Sequence, residues 1–492
     1  MTIQAKYDAV VIGAGLGGIA VSLRLKKMGL SVLVIEKNPR HGGKLEEWEW
    51  EGYRWDRGPS LFTLPEQVDE LFELYGKNPR DFFQYKRIDN CCHYYFNDGT
   101  DFLFRADEEV RNEDFIKHFY EREGQAAINY LKKAEKTYNA IGGLFIDNPK
   151  YGFKNIFDKA LLKRYPLLMS KMVRGSLNDL NSDQFENPNL VQLFDRYATY
   201  NGSDPFRTSG LYSMISHLES NNGTFFPNKG MRSIADSLYD LAVEQGVDFC
   251  FKQTATVEQL KKGYQVNLKE QSIIANRLVS AIDCVNFYKH VIKDERLEKK
   301  YGAKERSSSA IIFYWAVDKV IPELQLHNIF FSPSYQKEYH SLFRIRETHA
   351  TPSVYVHVSS VVNSGDAPEG GQNWFIMINA PADVKPGEEQ LKKLRQLIYK
   401  LFQEKLGVDV SQSVRYEKIW DADGIAEETG AYGGALYGAS SNAKLAAITR
   451  HGNTSKKYKN LYFVGGTVHP GGGLPLVLKS SKIVANIIKK EK

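Results

Sequence analysis

Apolar and polar positions divide the chain into short strands and longer helical stretches from its start. The run Tyr7 to Ile12 predicts a first strand. A glycine loop follows, then a helix ending near Met28-Gly29 and a second strand from Ser31 to Ile35. Strand, helix and strand in that order predict a parallel sheet that opens with a nucleotide site. At 92–104, Cys92-His93-Tyr94-Tyr95-Phe96 and Asp101-Phe102-Leu103-Phe104 flank Asn97-Asp98-Gly99, the pattern of a hairpin. Residues 108–180 read mainly as helix. Strands are predicted at 307–317, 353–361 and 373–379, and a helix at 387–405. The end returns to strand (Leu461 to Val464), glycine loop (465–475) and helix (476–489). No internal repeat or low-complexity tract interrupts this order. The expected fold is α/β, a Rossmann-like dinucleotide domain left and re-entered around an inserted mixed α+β domain. The first domain is expected at 1–85, 222–300 and 415–492, and the inserted one at 86–110, 181–221 and 301–414. A helical part is expected at 111–180.

A chain of 492 residues has room for two or three such units. With 42% hydrophobic and 25% charged residues it is an ordinary globular protein, which excludes disordered and fibrous classes. Lys and Arg number 65 against 59 Asp and Glu, a formal +6. That surplus is too small for a nucleic-acid binder but suits contact with an anionic membrane leaflet. The 28 Tyr and 27 Phe fit a large apolar cavity as well as a large core. Only Cys91, Cys92, Cys250 and Cys284 occur, without a C-x-x-C, so neither a disulfide framework nor a metal site is suggested. The N-terminus carries no signal-peptide pattern, and no apolar run approaches the ~20 residues that span a bilayer. The expectation is a cytoplasmic protein without a transmembrane helix. Residues 151–175 hold Lys154, Lys159, Lys163, Arg164, Lys171 and Arg174 against the single acid Asp158. Phe153, Ile156, Phe157, Ala160 and Leu161 recur there at helical spacing before Pro166. The stretch reads as an interfacial helix over a membrane surface, or as a packing helix with a solvated basic face.

The chemistry begins at Gly13-Ala14-Gly15-Leu16-Gly17-Gly18, a G-x-G-x-x-G between predicted strand and helix. Gly13 permits the tight turn, Gly15 the approach of a pyrophosphate, and Gly18 close helix–strand packing. The helix N-terminus adds unpaired N–H groups and a positive dipole end. Glu36, followed by Lys37, ends the second strand where a carboxylate would accept from a ribose hydroxyl. Arg40-His41-Gly42-Gly43-Lys44 then offers a second backbone approach and a neutralising cation. The turn Asp56-Arg57-Gly58-Pro59-Ser60, leading to Leu61, suits a crossing over a flat ring. Each element alone would pass for an ordinary turn. Their order favours a long, permanently bound flavin dinucleotide over a nicotinamide.

The run from Tyr7 through Ser60 resembles the amine-oxidase-like flavoproteins, and more closely the carotenoid desaturases. Asn201-Gly202-Ser203-Asp204-Pro205-Phe206-Arg207-Thr208-Ser209 is similar to their N/G-x-x-P-x-x-T/S segment, and Gly223-Thr224-Phe225-Phe226-Pro227-Asn228-Lys229-Gly230-Met231 to their W/F-x-P-x-G-G-M segment. The most specific match is Leu461-Tyr462-Phe463-Val464-Gly465-Gly466-Thr467-Val468-His469-Pro470-Gly471-Gly472-Gly473-Leu474-Pro475, which resembles L-Y-x-V-G-x-x-x-H-P-G-x-G-[ILV]-P. Its glycine loop is nearer the G-G-S-V-H-P-G-P-G-V-P form of hydroxycarotenoid 3,4-desaturases than the G-A-G-T-H-P-G-A-G-I-P of many phytoene desaturases.

The resemblance implies non-covalent FAD. It places Val257 at the adenine, Gly465 and Gly466 at the pyrophosphate and ribityl chain, and Leu474-Pro475-Leu476 at a helix start facing the reduced flavin's N1–C2=O edge. It further implies removal of two hydrogens from the C3–C4 bond of an acyclic carotenoid end, as in 1'-hydroxy-γ-carotene, with electrons passing on to oxygen or a quinone. A membrane-dissolved substrate favours the interfacial reading of 151–175 and a peripheral location on the inner membrane face. An allylic C–H beside a polyene needs no strong base, so the protein's share is positioning and water exclusion. Candidate polar residues are Asp195, Arg196 and His469, and no base is assigned. A structural ion pair between Asp195 and Arg196 competes with a catalytic role, as does a loop-fixing hydrogen bond for His469. A phytoene or diapophytoene desaturase, and a carotenoid isomerase or saturase, remain alternatives. An amine or protoporphyrinogen oxidase would explain the first 60 residues but not the His-Pro-Gly loop.

Overall fold

The computed structural model describes residues 3–143, 171–443 and 446–491. Two seven-stranded sheets organise them. In the first, Thr256–Gln259, Tyr264–Asn267, Ser272–Ser280, Lys6–Ile12, Val32–Ile35 and Asp248–Cys250 lie in that spatial order, and Leu461–Phe463 pairs with Ser272–Ser280. The pairings through Lys6–Ile12 are parallel. Such a sheet must be covered on both faces. Ala9, Val11 and Val34 pack under Ile19 and Leu23 of helix Leu16–Lys27 and under helices Arg232–Glu244 and Leu474–Lys490. Tyr7, Val10, Ile12 and Leu33 face Val257, Tyr264, Val285 and Phe287.

Register decides where the site lies. Ile12 is level with Ile35 and Ser280, Ile35 with Cys250, and Ser280 with Phe463. The loops that leave these five parallel strands therefore emerge along one edge, the crevice where open α/β sheets bind ligands.

The second sheet runs Val414–Trp420, Ser309–Val317, Gln372–Ala380, Val354–His357, His327–Phe330, Asn90–Tyr95, Asp101–Arg105. Its alternation is clear. Phe313, Trp315, Trp374 and Ile376 pack on Leu394, Ile398 and Phe402 of helix Glu388–Leu406. Ile312, Tyr314 and Phe375 face Tyr53 and Trp55 of the hairpin Glu46–Trp50/Tyr53–Arg57. Helix Glu108–Thr137 and the short helices of 177–195 close the sheet's other end, where Phe115, Phe119, Leu190 and Phe194 meet Tyr94, Phe102, Phe104 and Phe331.

Three details differ from the sequence expectation. Val414–Trp420 pairs with Ser309–Val317, so the last segment of the dinucleotide domain starts after 420 rather than at 415. The strand expected over 353–361 stops at His357, and Ser359–Val361 forms a 3₁₀ turn. There Asn373 donates to the Ser359 hydroxyl, and that hydroxyl donates to Asp366. Side-chain bonds thus replace the ladder. The helix expected from 108 is interrupted at Tyr120, whose φ is 62°. Of the basic stretch 151–175, only 171–175 falls within the described residues.

Candidate active site

Three glycine segments meet at that crevice. Gly13 turns out of the first strand with φ +105° and donates from its N–H to the Ile35 carbonyl at 2.8 Å. Gly15, Leu16, Gly17 and Gly18 begin helix Leu16–Lys27. A Cβ on Gly18 would lie 2.0 Å from the Gly13 carbonyl oxygen, which leaves room for no other residue. Gly15 forms a bridge with Gly42, and a Cβ on Gly43 would stand 3.0 Å from the Gly15 Cα. From the other side, a Cβ on Gly17 would meet Val477 at 3.2 Å and Gly465 at 3.5 Å. A Cβ on Gly466 would sit 3.3 Å from Gly472. Two helix N-termini, at Gly15 and at Gly473 before Leu474-Pro475-Leu476, thus open onto one glycine-lined cradle. Neither is closed by a side-chain cap. Their N–H groups are available to an anion, the arrangement a pyrophosphate needs.

Glu36 is buried, and its carboxylate accepts from Ala14 N at 2.8 Å and Asn38 N at 2.9 Å. Each oxygen keeps acceptor capacity for a ribose hydroxyl. Residues 248–253 run beside it, with Gln253 N donating to the Glu36 carbonyl at 3.0 Å. Val257 is buried in the core on the edge strand Thr256–Gln259. Lys37 is exposed and donates to the Glu427 carbonyl at 2.9 Å, away from the glycines. Half-buried Lys44 donates to the Leu436 carbonyl at 2.6 Å, and burial pushes its pKa down to about 8 against the pull of Asp283. Gly58 packs on Lys44, where a Cβ would lie 2.0 Å from the lysine's carbonyl oxygen. Pro59, Ser60 and Leu61 continue that turn half-buried, and Ser60 Oγ is 2.7 Å from the Tyr355 hydroxyl of the second sheet. The residues present fit a flavin dinucleotide.

The catalytic candidates separate. Asp195 and Arg196 are not an ion pair. The Asp195 carboxylate accepts from Asn178 at 2.6 Å and Asn181 at 2.8 Å, while Arg196 grips Glu219 at 2.9 and 3.0 Å. One turn of chain sends the two side chains to different neighbours. Burial pushes Asp195 up to about 7, and it lines a cavity of about 420 Å³ with Asn178, Phe185, Gln192, Phe206 and Tyr335. Arg196 also donates to Tyr94 and Tyr200, deep in the aromatic cluster. His469 is buried in the glycine loop, its N–H bonded to the His451 carbonyl at 2.8 Å and its own carbonyl to Asn453 at 2.8 Å.

Sequence reasoning missed Arg450, Glu219 and Tyr355. Arg450 is buried and ties Gly466 to Tyr437 and Ala439 through their carbonyls at 2.9–3.3 Å. None of the three lies in a motif, and only long-range pairing brings them in.

Residues 16–489 match the family described as flavin containing amine oxidoreductase. The chain belongs to that family. This flavoprotein is an FAD-dependent oxidoreductase. It is 40% identical over 98% of both chains to the 1-hydroxycarotenoid 3,4-desaturase of a Flavobacterium species. It is 26% identical, again over 98% of both chains, to the carotenoid 3,4-desaturase of Haloarcula japonica. Among solved structures it resembles cyclohexylamine oxidase from Brevibacterium oxydans, with a TM-score of 0.62, 14% identity and 99% of each chain covered. That likeness speaks for the fold: a Rossmann-like flavin domain with a second domain inserted. Among the described residues no helix is long and apolar enough to cross a membrane.

Proposed function

We propose that this flavoprotein is a carotenoid 3,4-desaturase, introducing a C=C bond into an acyclic carotenoid end that carries a 1'-hydroxyl. The observation that carries the reading is end-to-end likeness to the Flavobacterium 1-hydroxycarotenoid 3,4-desaturase. The Val468-His469-Pro470-Gly471 loop and the aromatic interior of the second domain support it.

FAD, when bound, supplies the acceptor for the two electrons and one hydrogen that leave the substrate. Gly13, Gly15, Leu16, Gly17, Gly18, Gly43, Gly465, Gly466 and the helix start at Leu474-Pro475-Leu476 hold its pyrophosphate and ring edge. Glu36 takes the ribose, Val257 the adenine side, and Lys44 balances charge. Gly58-Pro59-Ser60-Leu61 would lie against the ring. Lys37 follows Glu36 on the same strand end, its ammonium bonded to the Glu427 carbonyl.

The second domain orients the polyene and excludes water. Tyr94, Phe331, Tyr355, Phe375 and Tyr314 furnish a polarisable aromatic lining for an extended chain, with Phe375 edge-on to Tyr314 and Tyr355. Positive charge developing along a polyene is delocalised, so a weak acceptor suffices for the remaining proton. Oxygen or a quinone would be the final electron acceptor. The basic stretch 151–175 brings the enzyme to an anionic leaflet, where its substrate is dissolved.

The test is product analysis with purified protein, FAD and liposome-borne 1'-hydroxy-γ-carotene. A longer chromophore with two fewer hydrogens supports the desaturase. Preference for phytoene moves the chain to another branch, and an unchanged mass with isomerised double bonds makes it an isomerase.

A further inference from the structure

His327 and His357 face each other across neighbouring strands as direct register partners, their ring centres 5.2 Å apart. Each is only 2% exposed, and the Nε2 of each is buried with no hydrogen-bond partner among the described residues. Their surroundings are aromatic: Phe226 lies 5.8 Å and Phe375 6.3 Å from His357, and Tyr355 lies 6.1 Å from His327. A buried polar atom left unpaired is costly, and packing alone would be better served there by leucine or phenylalanine. Two such atoms side by side mark a place where something polar binds.

We infer that His327 and His357 form the polar end of the substrate site and receive the hydroxyl of the acyclic carotenoid end, which rests on the desaturase reading above. Burial holds both imidazoles neutral, His357 with a pKa pushed down to about 3. Each unpaired Nε2 is therefore either a donor or an acceptor, and a hydroxyl is both, so it can satisfy either ring. Rings of such low basicity serve as hydrogen-bond partners rather than as proton acceptors.

The position agrees with the chemistry. His327 Nδ1 is 2.7 Å from the Tyr355 hydroxyl, which is 2.7 Å from Ser60 Oγ in the turn assigned to the flavin ring. His327 is thus two hydrogen bonds from that turn, with His357 beside it as its register partner. In the substrate, the hydroxyl-bearing C1 is two bonds from C3, so a hydroxyl site for 3,4-desaturation must lie beside the reacting bond and not at the far end of the polyene. Tyr355 has a second effect. If its O–H points to His327 Nδ1, the Nε2 carries hydrogen; if it points to Ser60, the Nε2 is the acceptor. Tyr355 is a positioning residue for the His327 tautomer.

The experiment compares 1'-hydroxy-γ-carotene and γ-carotene as competing substrates in the same liposomes, for wild type, His327→Leu, His357→Leu, His357→Asn and Tyr355→Phe. Equilibrium binding of each carotenoid, read by fluorescence quenching, and FAD content are measured alongside. The wild type is expected to favour the hydroxylated substrate. Each leucine variant should lower that preference about tenfold, in both kcat/KM and binding, because the hydroxyl loses its partner. His357→Asn, which keeps a polar head, should recover part of it. If a leucine variant fails to retain FAD, Tyr355→Phe carries the test, since it leaves both rings in place and should still reduce the preference. A wild-type preference that survives the histidine and tyrosine substitutions overturns this site and leaves the desaturase reading intact. Equal handling of both carotenoids by the wild type overturns the hydroxyl reading itself, and this proposal with it.

Discussion

Alanine at Gly13, Gly15 and Gly18, the three consensus glycines of the G-x-G-x-x-G loop, separates what the protein needs from what the cofactor needs. At Gly18, an added Cβ would lie 2.0 Å from the Gly13 carbonyl oxygen. Helix and strand must then part, at a cost of about 1–3 kcal/mol or more. At Gly13, the Cβ would lie 2.8 Å from Ile282 on a backbone with φ +105°, adding roughly 1–2 kcal/mol of conformational strain. Gly15 is different. Its φ is −71° and ψ 174°, an extended conformation open to any residue. Its added Cβ would meet only Gly43 Cα at 3.8 Å, an ordinary contact. Nothing among the described residues requires glycine there. Gly15→Ala should therefore leave the flavin-free protein as stable as wild type, or more stable by about 0.4–1 kcal/mol through the unfolded state. It should nonetheless lose most of its FAD, because the methyl group stands where the pyrophosphate approaches. The assay pairs FAD per polypeptide after gel filtration with urea unfolding of the flavin-stripped proteins. Normal flavin content in Gly15→Ala, or destabilisation of its apoprotein to the level of Gly18→Ala, would refute the reasoning.

Four further outcomes follow from the same geometry. Glu36→Ala strands the N–H groups of Ala14 and Asn38, so it should cost about 1–3 kcal/mol of stability as well as FAD retention, whereas removal of a merely exposed acid would change neither. Asp195, pushed up to about 7 by burial, keeps its proton in the folded state across a window that begins near 3.8, where the unfolded chain has lost it. Stability must fall as pH rises through that window, and Asp195→Asn should remove up to ~1.4 kcal/mol per pH unit of the slope in a urea-unfolding series. Because burial lowers Lys44 to about 8, FAD affinity should weaken as pH rises past that value, and Lys44→Met should bind FAD less tightly and without that pH dependence. Reversing Lys159, Lys163 and Arg164 to Glu should reduce liposome binding and activity on liposome-borne carotenoid far more than flavin content, an effect that salt should mimic in the wild type.

The strand, glycine loop and helix that open the chain were legible because their demands are local. A strand, Gly13 to Gly18, a helix and Glu36 form one continuous stretch, and the backbone geometry that selects glycine at Gly13 and Gly18 is set within a few residues. The Gly465–Leu476 loop reads equally well, as its helix start and glycines are contiguous. The second domain read less well. Val414–Trp420 belongs to it only because it pairs with Ser309–Val317, about a hundred residues earlier. Asp195 and Arg196 are adjacent in sequence and suggested an ion pair, but one finds Asn178 and Asn181 while the other finds Glu219. Ser60, Tyr355 and His327 come together from three distant segments. Polar groups in an apolar interior carry no periodic signal, so only the folded chain displays them.

The central claim is that this flavoprotein takes two hydrogens from a carotenoid end, and one spectrum with one mass tests it. Purified enzyme with FAD, oxygen or a quinone, and liposomes holding 1'-hydroxy-γ-carotene should yield a product whose absorption moves to the red and whose mass is lower by two hydrogens. A product of unchanged mass, or one shifted to the blue with two hydrogens gained, would contradict it.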